Sequence, residues 1–120
     1  MSVFNGSLLI KCGVVANMND FAKELQQIVE MAVERLLTIP EPQTQIPKQV
    51  GQWTAKEVLG HLIDSAANNH QRFVRAQFTD DLIFAGYDQE QWVQVQSYNQ
   101  VRWQTLVQFW QAYNFHCGRG

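Results

Sequence analysis

Apolar side chains recur at helical spacing in three long stretches of this chain. In the first, Phe21, Leu25, Ile28, Val29, Ala32, Val33, Leu36 and Leu37 keep the i, i+3, i+4 rhythm that lays one oily stripe along a helix. This predicts a helix over 19–38. Asn19 or Asp20 can open it by accepting a bond from an orphan backbone N–H, and Pro40 and Pro42 end it. A second stripe, Ala55, Leu59, Leu62, Ile63, Ala66, Phe73 and Val74, predicts a helix from Thr54 to Gln77. Thr54 and Glu57 stand at capping-box spacing, hydroxyl bonding forward and carboxylate bonding back. A third helix is expected from Ser97, where Ser97 and Gln100 repeat that spacing. Gln100, Gln104, Gln108 and Gln111 share one narrow polar arc, while Trp103, Leu106, Phe109, Trp110 and Tyr113 cover the rest. An apolar arc this broad should touch more than one neighbour.

The connections differ in kind. Pro40, Pro42 and Pro47 restrict 39–52 to an extended loop that Gly51 closes. The stretch 78–96 is long, with turn-like Asp80, Asp81 and Gly86. Asp88 can cap a short helical turn through Trp92, with Gln91 at the fourth box position. That length suits a crossover rather than a tight hairpin. The helical pattern is read to end before Cys117-Gly118-Arg119-Gly120. Three wide apolar faces call for a fourth helix. The expected architecture is therefore an all-α bundle: an extension over 1–17 ahead of Met18, an incomplete helical-bundle domain over 18–116, and a non-helical tail at 117–120.

Composition narrows the functions. A chain of 120 residues with 46% apolar side chains is one globular domain. A net charge of −2 with no basic stripe argues against nucleic acid. Cys12 and Cys117 lie near opposite ends, which is neither a zinc motif nor a disulfide framework, so a reduced, cytoplasmic setting is the simpler expectation. No apolar run approaches the roughly 18 residues needed to span a bilayer. Lys11 interrupts the apolar segment 7–16, which lacks the basic start of a signal peptide.

Three histidines raise the question of metal. His61 and His70 are nine residues apart on one predicted helix, about 13 Å along its axis and roughly half a turn out of phase. They cannot share an ion, and no H-x-x-x-H pair is present. His70 falls on the apolar face, either as a packed histidine with one nitrogen hydrogen-bonded or as a pocket-lining residue. His116 falls at the end of the third helix, where it should be exposed. His61 lines up with Ser65, Asn68 and Arg72. Such a polar stripe is either a solvent face or the wall of a cleft between helices. Asp64, one turn away, could be a second oxygen ligand or a supporting partner. There is no nucleophile elbow and no phosphate-cradling glycine loop. The four tryptophans read as core and interface mass.

The run W-T-A-K-E-V-L-G-H-L-I-D-S over 53–65, followed by N-N-H-Q-R-F, resembles the DinB/YfiT-like superfamily, and in particular its YfiT-type metal-dependent hydrolases. Gly86-Tyr87-Asp88-Gln89-Glu90-Gln91-Trp92 is similar to their Y-D-x-x-x-W stretch. The resemblance covers 18–115. It implies a four-helix up-down bundle with a long crossover, often a dimer, and a divalent zinc- or nickel-like ion held by three histidines. The first of these ligands falls on His61. The other two belong to a last helix that this resemblance places beyond the present end, so the chain is read as C-terminally truncated. In an intact member the ion would activate a water or a thiol by stabilising its deprotonated form. The implied activities are hydrolysis, or transfer using a low-molecular-weight thiol, on a small-molecule substrate. The alternative is a non-catalytic helical module. Without a fourth helix, Leu59, Leu62, Trp103, Leu106 and Trp110 would lie uncovered and drive self-association, with a homodimer completing the bundle.

Overall fold

A computed structural model describes residues 18–79 and 86–118. Among these the chain is all-α. It has four α-helices, α1 (Met18–Leu37), α2 (Ala55–Ala76), α3 (Gln89–Gln96) and α4 (Trp103–Gly118), with short 3-10 turns at Glu41–Gln45 and Tyr98–Gln100. The expected extension over 1–17 and the turn at Asp80 and Asp81 lie outside the described residues.

Local chemistry sets most boundaries. Thr54 caps α2 with the complete box: the Glu57 N–H donates to Thr54 Oγ1 at 3.2 Å, and the Thr54 N–H donates to Glu57 Oε1 at 3.0 Å. Asp88 caps α3, accepting from the Gln91 N–H at 3.1 Å. That helix runs one turn further than Trp92, to Gln96. Asn19 and Asp20 lie inside the first turn of α1 rather than ahead of it.

Ser97 corrects the reading of the third long helix. It does not start that helix. It ends α3 in the left-handed region at φ 53°, and the chain then makes a 3-10 turn before α4 begins at Trp103. The cap of α4 comes from far away. Glu41 Oε2 accepts from the Trp103 backbone N–H at 2.9 Å, supplying the negative group that a helix N-terminus favours. In return the Trp103 indole donates to the Leu36 carbonyl at 2.7 Å, near the end of α1. The expectation of a non-helical tail also fails at its start, because α4 continues through Cys117 to Gly118.

The broad face of α4 is used on two sides: it packs against both α1 and α2, while α3 lies across α2. Leu59, Ile63, Val93, Trp103, Leu106 and Val107 form the centre of the core. Leu59, Trp103 and Leu106 are therefore buried, contrary to the expectation that they would lie open, and Leu62 and Trp110 are half-buried. The residual apolar surface lies elsewhere. Ile28 is 63% exposed, Met31 57% and Phe109 53%. Val74 and Leu37, read as core, are also exposed.

A polar knot pins the loop 39–52 to this frame. Lys56 is 1% exposed, and its Nζ lies 2.8 Å from Glu41 Oε1. A buried ammonium is tolerable only when paired in this way. Thr54 Oγ1 donates to Asn99 Oδ1 at 2.6 Å, tying the start of α2 to the second 3-10 turn.

Candidate functional site

The polar flank of α2 is covered rather than wet. Helical spacing places His61, Asp64, Ser65 and Asn68 on it, and the segment 87–98 folds over it. Asp64 and Ser65 are each only 2% exposed. The Ser65 hydroxyl lies 2.7 Å from the Tyr87 hydroxyl. Both the Tyr98 hydroxyl and the Gln96 side-chain amide donate to Asp64 Oδ1, each at 2.5 Å. Asn68 donates to the Asp64 carbonyl at 2.9 Å. Asp64, expected as an oxygen ligand or supporting partner, is a buried acid, fixed on one oxygen and with its other oxygen, Oδ2, buried without a partner.

His61 stands one helical turn before it. Its ring is half-buried, tilted against the Trp53 indole with centroids 5.0 Å apart. Its Nδ1 is buried with no hydrogen-bond partner. Two orphaned polar atoms on adjacent turns are costly, because each has given up water and gained no bond. Burial holds the His61 imidazole below its ordinary pKa, against the opposing pull of the Asp64 charge. The ring is therefore neutral near pH 7, the form that ligates metals. Burial pushes the Asp64 carboxyl up, partly offset by the bonds from Tyr98 and Gln96 and by His61. Burial and the neighbouring Asp64 likewise drive the Tyr98 phenol up.

Close by lies an open groove of about 480 Å³. Trp53, Glu57, Glu90, Gln94, Asn99 and Gln100 line it. Trp53 and Tyr98 are shared walls, touching the groove on one side and His61 or Asp64 on the other. Neither His61 nor Asp64 itself lines it.

The other histidines lie apart from this pair. His70 is half-buried, with Nδ1 2.8 Å from the Tyr113 hydroxyl, as a packed histidine with one nitrogen hydrogen-bonded would be. His116 is exposed and its ring meets that of His70 edge-on. Tyr98 and Gln96, which hold Asp64, carried no signal at the sequence level, because their role depends on the left-handed turn at Ser97.

The fit to a catalytic ion is incomplete. A divalent ion at such a centre needs about three protein ligands. His61 and Asp64 offer one nitrogen and one free carboxylate oxygen. Among the described residues no group of three or more His, Cys, Asp and Glu could hold a metal.

Comparison with known proteins gives distant likenesses. No family model matches the chain, and no solved structure does. A protein of Oceanobacillus iheyensis named "Putative metal-dependent hydrolase" is 24% identical over 81 residues, 68% of this chain and 47% of that protein. Proteins of the same name from Bacillus mycoides and Bacillus cereus are 25% and 24% identical, over 61% and 75% of this chain and 42% and 53% of theirs. The chain spans about half the length of the curated relatives it matches.

Proposed function

We propose that this chain carries the first half of a DinB/YfiT-like metal-dependent enzyme, a hydrolase or small-thiol-dependent transferase acting on a small molecule. His61 is one ligand of its divalent ion, zinc or nickel. Asp64 is a supporting residue that keeps the local potential negative, and the remaining ligands come from residues other than those described. The observation that carries this reading is the pair of buried, unpartnered atoms, His61 Nδ1 and Asp64 Oδ2, on adjacent turns of α2. The names of the distant relatives and the resemblance of 53–75 and 86–92 support it. In this reading the groove beside Trp53 takes the substrate, and the present chain alone is impaired as an enzyme.

Calorimetric titration of the purified chain with zinc or nickel tests this. At a site that includes His61 the chain should bind one ion with low affinity, and His61→Ala should abolish the heat of that site. A His61→Ala protein that binds as the parent does would remove the assignment.

A second reading rests on a separate observation. Ile28 and Met31, one turn apart on α1, leave an exposed apolar strip, and Phe109 adds another exposed site on α4. Self-association as a homodimer would cover such surface. Sedimentation over a concentration series should show a dimer, and a monomer at all concentrations would end this reading.

A further inference from the structure

The far part of the bundle holds a second arrangement of imidazoles. Tyr113 and His116 are three residues apart on α4, so they share one face, a turn apart. Both meet His70 of α2. The Tyr113 hydroxyl occupies His70 Nδ1 at 2.8 Å, and the His116 ring stands 5.6 Å from the His70 ring, centroid to centroid, with planes 74° apart.

We infer that His70 and His116 form a two-imidazole site for a borderline divalent transition ion, clipping α4 to α2 independently of His61. The geometry is the argument. Two imidazoles on one tetrahedral ion, each bonded at about 2.0–2.1 Å, place their ring centres roughly 5 to 5.5 Å apart. The observed spacing is within a small side-chain adjustment of that value, and His116 is exposed and so able to turn. The Tyr113 contact has the form of an orienting bond to a metal-bound histidine. It engages one ring nitrogen, and in the tautomer whose Nδ1–H donates to the Tyr113 hydroxyl, Nε2 is left as the ligand. Imidazole donors favour zinc, nickel and copper over magnesium or calcium. With two protein ligands the ion keeps open positions filled by water, so the site binds modestly and exchanges readily.

The test uses the full chain carrying His61→Ala, so that its outcome is separate from that of the proposed His61 site. Nickel chloride is titrated by calorimetry. One ion should still bind, and adding His116→Ala should weaken binding at least tenfold. His116 is exposed, so its removal leaves the fold intact, which circular dichroism verifies. Tyr113→Phe, which keeps the ring and removes the orienting hydroxyl, should weaken binding severalfold. In NMR, the His70 and His116 ring signals should move together on adding nickel or, for a diamagnetic reading, zinc. No binding by the His61→Ala chain, or binding that His116→Ala leaves unchanged, would overturn the inference.

Discussion

Replacing Gly60 with alanine sets helix propensity against packing and predicts a sign. Gly60 sits in α2, six positions after the cap. In an ordinary helix interior, glycine to alanine stabilises by about 0.5–1 kcal/mol. Here the added Cβ would overlap the ring of Tyr98. That ring cannot retreat freely: Tyr98 is 7% exposed, and its hydroxyl is held by Asp64. Overpacking a filled site costs about 1–3 kcal/mol. If the ring swings away, the hydrogen bond to the buried carboxylate goes too, a further loss of roughly 1–3 kcal/mol. The overlap forces the ring to shift, so both losses apply, and after subtracting the propensity gain Gly60→Ala should lower stability by about 1–5 kcal/mol. Urea unfolding followed by circular dichroism measures this. A double variant that also carries Tyr98→Leu should lose less than the sum of the two single changes, since the overlap is then relieved. A Gly60→Ala protein as stable as the parent, or more stable, would refute the close approach of α2 to the turn after α3.

Other expectations follow from the same geometry. Thr54→Ala breaks the capping box and the bond to Asn99, and should cost about 1–2 kcal/mol in the same urea assay. The Lys56 ammonium and the Trp103 N–H hold Glu41 below its ordinary value, so its contribution is present above about pH 4.5 and is lost as pH falls through the folded value. Glu41→Gln should flatten that acid loss. Burial lowers His61 in the folded state, so the unfolded chain takes up the proton first. Stability should fall as pH drops below about 6.5, and His61→Gln should remove that slope between pH 7.5 and 5.5. Asp64 has the opposite sign: raised by burial, its contribution is full at acid pH and declines as pH rises through its folded value, so Asp64→Asn should reduce that decline.

What could be read from the sequence was whatever local chemistry decides. The start of α2 followed from Thr54 and Glu57, whose reciprocal bonds need nothing beyond four residues. Asp88 followed in the same way. The broad apolar arc of α4 correctly required two neighbours. What escaped depends on segments far apart in the chain. Ser97 had the composition of a helix cap, but the left-handed bend there and the remote Glu41 moved the start of α4 to Trp103. Lys56 carried no sign of burial in the sequence; Glu41, fifteen residues earlier, makes that burial possible. The stripe through His61 and Ser65, with Asp64 one turn from His61, read as either a solvent face or the wall of a cleft. Tyr87, Gln96 and Tyr98 turned that face inward, and no periodicity within α2 records their arrival.

The central claim is that the His61 ring is a metal ligand. Long-range proton–nitrogen NMR of the uniformly labelled chain resolves its three imidazoles individually while zinc is added into the low millimolar range. The account predicts that the His61 ring nitrogens shift and saturate, with the Asp64 carboxyl carbon moving along the same curve. A His61 signal that stays in place at saturating zinc, whatever the other two rings do, would contradict it.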